Sequence, residues 1–322
     1  MIKLFFLLLF LPFIGQAHPG IGIVKDSKGN IYYTDLHHVW KIANGTRTLS
    51  VPNVHTHELY IDSNDNLYGE GGEYDEKANK FYHYLWVYHP NGKVDTVIGM
   101  KQAYIQQDFS LSRDIQGNEY YIKQFLTRPD TSHIYKNSPD GRESIFASGK
   151  FRAVKWLHPQ DNGSLLYVSN NAIYRVDARG NIELVKDSIG NTSPSFKFSG
   201  NNITIWGVWE DKAQNIYVAV FSDQTVKKID KNGILSNYYK SKGNWAPLHG
   251  VFDNDNRLWI LEGSDKNEVR VMLAGANHNT IIDRQNSNSR TYLIAGMLVI
   301  GVLILYLTFR NSNSRITRTL LR

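Results

Sequence analysis

The chain has 322 residues, contains no cysteine and carries a formal net charge of +6. Lys3 and four arginines at the extreme C-terminal end account for five of these charges, so residues 18–290 carry about +1. A nearly neutral segment has no electrostatic footprint for nucleic acid, and without disulfides it must fold on its hydrophobic core alone. We therefore expect no nucleic-acid partner.

The first segment, residues 1–17, has the composition of a secretory signal peptide. It reads MIKLFFLLLFLPFIGQA, with Lys3 before an apolar run and the small residues Gly15 and Ala17 at positions −3 and −1 of a cleavage site. Cleavage after Ala17 would make His18 the mature N-terminus. A terminal histidine can chelate copper through its amine and ring, so His18 is a candidate metal ligand; the alternative is that cleavage leaves it there without a role.

The central segment, residues 18–283, repeats one phrase six times. Two of the copies read VKDSKGNIYYTD followed by HHVWKIANGT, and VFDNDNRLWILE followed by NEVRVMLAGANHN. Each copy contains four short extended segments separated by Gly, Asn and Asp turns, the pattern typical of strands and hairpins. Six consecutive repeats of four strands each predict an all-β, six-bladed β-propeller.

The phrase D-x-x-G-N-I-Y-x-x-D, followed by V-x-K-I and a Gly turn, resembles the NHL repeat and the related SMP-30/gluconolactonase-like propellers over about residues 20–283. The resemblance implies the fold. This wider group includes calcium-dependent lactonases, metal-dependent lyases and non-catalytic binding modules, so it implies no single activity. The fourth copy departs from the phrase: we expect its turn to start at His158-Pro159, with an extra residue before Leu165.

The predicted fold separates two faces of the disc. The turn face carries the turns between the first and second strands, and between the third and fourth. The mouth face carries the other loops and the opening of the central channel. Counting back from the repeat aspartate, Glu58 lies four residues before Asp62 and His249 four before Asp253. We therefore expect Glu58 and His249 to meet at the mouth, and His158 to lie on the turn face.

The segment NVHTHE brings further ligand-type residues to the same mouth. In an extended H-x-H pair both imidazoles point to one side, so His55 and His57 would join Glu58 and His249. Imidazole with carboxylate suits zinc, iron, manganese or copper better than calcium. One alternative is a polar channel rim with ordered water. Another is catalysis without metal, with His57 or His249 as general base, although no HExxH, GxSxG or P-loop accompanies them.

Two further residues are candidates for ligand binding at the mouth. Glu70 is predicted to end the second strand of the second copy. It would either contact a ligand there or form a solvated cap of the strand. Trp245 lies in the predicted loop before His249 and would form an apolar wall. The loop Gly71–Tyr82 is the longest on this face and could cover the opening.

The C-terminal part predicts a membrane anchor. After a short stalk at residues 284–290, residues 291–309 carry no charge over 19 positions, about the length of a membrane-spanning helix. The tail at residues 310–322 contains four arginines and no acid, so the positive-inside rule places it in the cytoplasm and the propeller outside. Gly296 and Gly301 are five apart, so the span gives no helix-dimer signal of the GxxxG type.

Two classes of function follow. The first is a single-pass, type I membrane protein whose extracytoplasmic propeller binds a protein, glycan or small-molecule ligand at the channel mouth. The second is a metal-dependent hydrolase or lyase, similar to a lactonase, with its site at the same mouth. The tether and the missing catalytic motif favour binding, whereas the His/Glu set favours the enzyme.

Overall fold

The structure is a computed structural model, and it describes most of the propeller segment. The residues described are 22–75, 77–102, 110–122, 132–149, 151, 154–160, 162–191, 204–266, 268–275 and 280–284. They form six antiparallel sheets, so the predicted all-β, six-bladed propeller is confirmed. We refer to the sheets as blades 1 to 6 in chain order.

The first three blades use consecutive strands in sequence order. In blade 3 the described residues form a three-stranded sheet, and a single bridge between Arg113 and Glu119 takes the position of the first strand. The strands are β1 (Ile23–Lys25), β2 (Ile31–Thr34), β3 (Val39–Ala43) and β4 (Thr46–Val51); β5 (Leu59–Ile61), β6 (Leu67–Asp75), β7 (Lys80–Tyr88) and β8 (Val94–Lys101); and β9 (Glu119–Ile122), β10 (Ser132–Asn137) and β11 (Glu143–Gly149).

Blades 4 to 6 are four-stranded and follow the same order. A short 3-10 turn, Phe221–Asp223, follows β17. The strands are β12 (Val154–Pro159), β13 (Leu165–Ser169), β14 (Ala172–Val176) and β15 (Ile182–Lys186); β16 (Ile205–Glu210), β17 (Ile216–Val220), β18 (Thr225–Ile229) and β19 (Leu235–Lys240); and β20 (Trp245–Phe252), β21 (Leu258–Ser264), β22 (Val269–Ala274) and β23 (Thr280–Arg284).

The ring closes without exchange of strands between the two ends of the propeller. Blade 6 takes its outer strand, β23, from the residues that follow β22. Blade 1 then meets blade 6 through their turns, where Lys25 Nζ donates to Asn254 Oδ1 at 3.0 Å and Asn254 Nδ2 donates to the Ser27 carbonyl at 2.9 Å. The first strands of neighbouring blades contact each other, so they are the innermost strands and surround the channel.

The repeated aspartate caps the turn between the first and second strands. Asp26 Oδ1 accepts the backbone N–H groups of Lys28 at 3.0 Å and Asn30 at 2.8 Å, while Oδ2 accepts from the Asn30 side chain at 2.6 Å. Gly29 completes the turn at a φ of 83°, which favours glycine. This local chemistry explains why an aspartate starts this turn in five of the six blades. The carboxylates with the same role are Asp62, Asp114, Asp211 and Asp253.

The expected turn of the fourth copy is wrong. Gln160 replaces the aspartate: its backbone N–H donates to the Ser164 carbonyl at 2.9 Å, and it accepts from Gly163 N at 3.0 Å. Counted from Gln160 the copy has the standard spacing and no extra residue. His158 and Pro159 therefore end strand β12 instead of starting the turn.

The predicted loop over residues 71–82 is largely a β-hairpin. Strands β6 and β7 each run for nine residues, so most of this segment is paired. Two glycines make the pairing possible, since an added Cβ would lie 2.2 Å from Trp86 Cζ2 at Gly69 and 2.0 Å from Tyr84 Cζ at Gly71. The rings of blade 2 thus lie directly over its second strand.

Among the residues that the structure describes, no helix is long and apolar enough to cross a membrane. The predicted signal peptide, the predicted span at residues 291–309 and the basic tail lie outside the described residues. Strand β23 extends through Arg284, the first residue of the predicted stalk.

Candidate functional site at the channel mouth

Each blade has one equivalent position in, or close before, its inner part. Each lies four residues before the residue that starts the blade's turn. Neighbouring positions crowd together: an added Cβ on Gly207 would lie 2.5 Å from His249 Cδ2. The glycine at this position of blade 5 therefore leaves room for the His249 ring. The six residues are Gly22, Glu58, Ser110, Trp156, Gly207 and His249.

His249, on β20 of blade 6, meets a histidine that the sequence reasoning placed elsewhere. Its ring centroid lies 6.5 Å from that of His158, on β12 of blade 4, and 5.3 Å from that of Trp209, on β16 of blade 5. Blades 4 and 6 are not neighbours, so the two imidazoles meet inside the channel, past the inner strand of blade 5. His158 lies at the end of β12 that leads into the turn at Gln160, so the expectation that it lies in the turn itself is wrong.

The two imidazoles of this pair are neutral at pH 7. Burial lowers the pKa of His158 to about 4. Burial, with the neighbouring His158 as a second cause, lowers the pKa of His249 to about 3, although backbone hydrogen bonds at Val208 and Gly250 act in the other direction. His249 Nδ1 is buried and has no hydrogen-bond partner among the described residues. A neutral imidazole has one donor and one acceptor nitrogen, so Nδ1 can take either role toward a ligand.

The HTHE segment is held firmly between blades 1 and 2. Thr56 is fully buried; its carbonyl accepts from Thr34 Oγ1 of blade 1 at 2.9 Å, and its own hydroxyl donates to the Glu70 carbonyl of blade 2. The rings of His55 and His57 lie on either side of Thr56 in the chain, with centroids 4.7 Å apart. The segment therefore belongs to the scaffold of the mouth as well as to its surface.

Glu58 and Glu70 form a carboxyl pair beside this segment. Glu70 is 4% exposed; its Oε1 accepts the backbone N–H groups of His57 at 2.7 Å and Glu58 at 3.2 Å, while its buried Oε2 has no partner among the described residues. Burial and the Glu70 charge raise the pKa of Glu58 to about 8, and burial raises the pKa of Glu70 to about 7. At neutral pH the pair therefore retains a proton.

The structure divides the predicted site residues between two clusters. The carboxyl cluster contains His55, His57, Glu58 and Glu70 of blade 2, and the imidazole cluster contains His158, Trp209 and His249. The charged neighbour that shifts the pKa of Glu58 is Glu70, and the ionisable neighbour that shifts the pKa of His249 is His158. Neither interaction joins Glu58 to His249. His57 is neutral as well, because burial lowers its pKa to about 4.

The predicted metal centre does not fit this arrangement. In the described part of the chain, no group of three or more His, Cys, Asp or Glu side chains is placed to hold a metal ion. Zinc sites in proteins use at least three protein ligands, so His55, His57, Glu58 and His249 do not make one such site as they stand. His18 lies outside the described residues.

The predicted position of Trp245 in an open loop is wrong. Strand β20 begins at Trp245, whose side chain is 7% exposed, and the Arg270 guanidinium covers its ring at 4.3 Å. Arg270 Nε in turn donates to Glu262 Oε2 at 2.5 Å. Glu262 Oε1 accepts from the hydroxyls of Tyr239, at 2.8 Å, and Ser241. Trp245 is therefore part of a packed, hydrogen-bonded cluster and not a wall of the mouth.

The fold is shared with several solved structures. No family model matches the sequence, and no curated protein matches it. A gluconolactonase from Xanthomonas campestris is 15% identical with a TM-score of 0.52, over 76% of this chain and 82% of that one. An auxiliary nutrient binding protein from Bacteroides ovatus is 15% identical with a TM-score of 0.51, over 80% and 70%. A luciferin-regenerating enzyme is 14% identical with a TM-score of 0.51, over 77% and 85%. The resemblance to SMP-30/gluconolactonase-like propellers is thus confirmed at the level of the fold.

Proposed function

We propose that the protein is a membrane-anchored, extracytoplasmic binding protein that holds a small polar ligand at its channel mouth. The observation that carries this proposal is the buried Nδ1 of His249, which has no partner among the described residues. A buried polar atom left without a partner costs about 1–3 kcal/mol, so native proteins satisfy nearly all of them. A bound ligand would supply the missing partner.

The chemistry of the mouth restricts the ligand. In this proposal the neutral His249 ring offers Nδ1 as an acceptor, to which a ligand hydroxyl or amide N–H donates. The neighbouring Trp209 ring gives an apolar surface at 5.3 Å. Neither imidazole carries a charge at neutral pH, so this cluster has no ionic attraction for an anion or a cation. We expect a neutral hydroxyl- or amide-bearing molecule, either free or as part of a glycan or protein.

An enzymatic alternative rests on the carboxyl pair. A general acid or base works best when its pKa lies near the operating pH, and the pKa values of Glu58 and Glu70 rise to about 8 and about 7. Perturbed carboxyls of this kind are frequent in active sites. A hydrolase or lyase would use the pair to exchange a proton with its substrate. The fold is compatible with both functions, because its solved examples are described as a nutrient binding protein and as a gluconolactonase.

The binding proposal is tested with a panel of neutral probes: δ-gluconolactone, methyl pyranosides, polyols and primary amides. Binding is measured by isothermal titration to wild type, to His249→Leu and to His249→Asn. Asparagine places its Oδ1 near the position of Nδ1, so it should retain an acceptor, whereas leucine removes it. We expect at least a roughly tenfold loss for His249→Leu and partial retention for His249→Asn. Equal binding to all three proteins would contradict the proposal.

The same probes also distinguish the enzymatic alternative from the binding function. If the lactone is consumed, product formation is followed with wild type and Glu58→Gln, since the amide cannot exchange the proton. Turnover that requires Glu58 would make the protein an enzyme. Binding that requires His249 without any turnover supports the binding function.

The extracytoplasmic placement is tested separately. Because the chain has no cysteine, single cysteines report accessibility without background. Lys242→Cys, at an exposed loop of the propeller, should react with a membrane-impermeant maleimide in intact cells. Ser314→Cys, in the predicted tail, should react only after lysis. The reverse pattern would overturn the predicted orientation.

A further inference from the structure

The junction between blades 2 and 3 is packed differently from the other junctions. In the described part of the chain, extended hydrophobic clusters join blades 5, 6 and 1, blades 4 and 5, blades 1 and 2, and blades 3 and 4. Between blades 2 and 3 the buried cluster consists of Leu85 and Leu111, with Tyr60, Tyr68 and Ile98 packed against them. This junction therefore leaves space that the others fill.

A cleft of about 420 Å³ occupies that space. Its rim includes Ser63, Gln116 and Pro139, which lie in turns of the turn face. The cleft is thus on the opposite side of the disc from His249 and Glu58. Clefts of roughly 300–1,000 Å³ are the usual size for small-molecule sites.

The walls of the cleft are aromatic and aliphatic. The Tyr60 and Tyr68 rings lie side by side, with centroids 5.8 Å apart. Val97 and Ile115 also line the cleft, yet they are 50% and 59% exposed. Large apolar side chains that stay in solvent around a concave surface are typical of a binding site.

The charged groups of the cleft are already paired. Asp62 caps its own turn and accepts from the Tyr68 hydroxyl at 3.2 Å. Arg113 donates from Nη2 to Glu119 Oε1 at 2.9 Å and from Nε to the Ser110 carbonyl at 3.1 Å. Both charged side chains of the lining therefore already form hydrogen bonds within the protein, and Arg113 has a counter-charge in Glu119.

The polar rim can still form hydrogen bonds. The Tyr60 hydroxyl lies 3.5 Å from the Asp114 carbonyl, the long limit of such a contact, so it has capacity for a better partner. Ser63 and Gln116 add a hydroxyl and an amide at the exposed rim. A ligand here would meet an apolar floor and neutral donors and acceptors at the edge.

We propose that this cleft is a second binding site, separate from the channel mouth, for a neutral saccharide ring. A pyranose has an apolar C–H face, which would lie on the Tyr60 and Tyr68 rings, and equatorial hydroxyls, which would bond to the Tyr60 hydroxyl, Ser63 and Gln116. Aromatic rings with a polar tip match such an amphipathic ligand. Asp62 and Arg113 already form hydrogen bonds within the protein, so a neutral sugar fits better than a charged one.

The test uses saturation-transfer NMR with methyl β-D-glucopyranoside on the full chain, in a detergent without a sugar headgroup. Val97→Trp would fill the cleft. Val94→Trp is the matched control, because Val94 lies on the same strand, is 43% exposed and is not part of the lining. We expect roughly a tenfold weaker signal for Val97→Trp and no change for Val94→Trp.

Ile115→Ala, at an exposed wall position, is a second variant that costs no core packing, and it should weaken the signal severalfold. All of these variants are measured in the His249→Leu background, so that pyranoside bound at the channel mouth does not contribute to the signal. Circular dichroism checks that every variant is folded. The proposal is overturned if the pyranoside gives no signal, if Val97→Trp and Ile115→Ala both bind as wild type does, or if phenol binds in the cleft while the pyranoside does not.

Discussion

Two buried polar groups of blade 6 lie on paired strands and have opposite surroundings. Glu262, on β21, is fully buried, and both its carboxylate oxygens are bonded, to Arg270 and to the hydroxyls of Tyr239 and Ser241. His249, on β20, pairs in the sheet with Leu261, the residue before Glu262. The Nδ1 atom of His249 has no hydrogen-bond partner in the described part of the chain. The Glu262 carboxylate therefore has its hydrogen-bond partners within the fold, whereas Nδ1 of His249 has none in the described part.

Glu262 therefore stabilises the propeller, whereas His249 is available to bind a ligand. A buried charge is tolerated only when its partners are in place, so the Glu262 cluster should be sensitive to any loss. A neutral imidazole with one open acceptor costs less and can be retained for binding. Stability and binding should therefore respond to different substitutions.

The largest effect is expected for Arg270→Met, which would leave the Glu262 carboxylate buried without its cation. Removing one partner of a buried ion pair costs about 3–5 kcal/mol of unfolding free energy. Urea denaturation measures it. The control is Arg257→Met, which breaks an ion pair of a 54% exposed arginine and should cost about 1 kcal/mol or less. Similar costs for the two variants would contradict the distinction.

The next effect is on acid stability. The pKa values of His57 and His158 fall to about 4 and that of His249 to about 3, below the 6.5 of an unperturbed histidine. Protons therefore bind the unfolded chain first, and stability declines as pH falls from about 6.5 towards 4. We compare the wild type with the double variant His158→Leu/His249→Leu. Between pH 6.5 and 4 the unfolding free energy of the double variant should fall by on the order of 2 kcal/mol less than that of the wild type. Parallel pH profiles of the two proteins would refute it.

A smaller effect with the opposite sign is expected on the alkaline side. The pKa values of Glu58 and Glu70 are raised from 4.5 to about 8 and about 7, so their contribution is complete below 4.5 and is lost as pH rises towards 8. Glu58→Gln removes the repulsion and should stabilise the protein by about 1 kcal/mol at pH 8 and not at pH 4. Glu73→Gln, at an exposed position of the same strand β6, should change little at either pH. A gain equal at both pH values would argue against a shared proton.

The smallest effect on stability is expected for His249→Leu at pH 8, where the histidine is neutral in the folded and unfolded states. Replacing a polar atom without a partner by an apolar group should change the unfolding free energy by less than about 1 kcal/mol. Thermal unfolding measures it, beside the binding loss described above. A loss of several kcal/mol would show that His249 supports the fold and would weaken its assignment as a ligand group.

The fold was predictable because its determinants are local. Each copy carries its own turn, and in five of the six an aspartate caps the backbone within four residues, as Asp26 does at Asn30. The fourth copy misled the prediction because glutamine takes that place at Gln160. One substituted residue was enough to shift the expected turn onto His158, which in the structure belongs to strand β12.

The site was only partly predictable because its contacts cross blades. The repeat correctly put Glu58 and His249 at equivalent positions, but their neighbours depend on side-chain directions that a repeat does not specify. His158 reaches His249 past blade 5, between positions 91 residues apart in the chain. Trp245 is buried by Arg270, which lies on a later strand of the same blade. No local pattern indicates either contact.

The most direct test of the account is the state of the His249 imidazole itself. The 15N resonances of its ring, in histidine-labelled protein at pH 7, are followed while the neutral probe panel is added, with His249→Asn for assignment. The account predicts a neutral ring with an unprotonated Nδ1, whose resonance shifts when a hydroxyl- or amide-bearing probe binds. A protonated Nδ1, or a Nδ1 resonance that stays unchanged while a probe binds at the mouth, would contradict it.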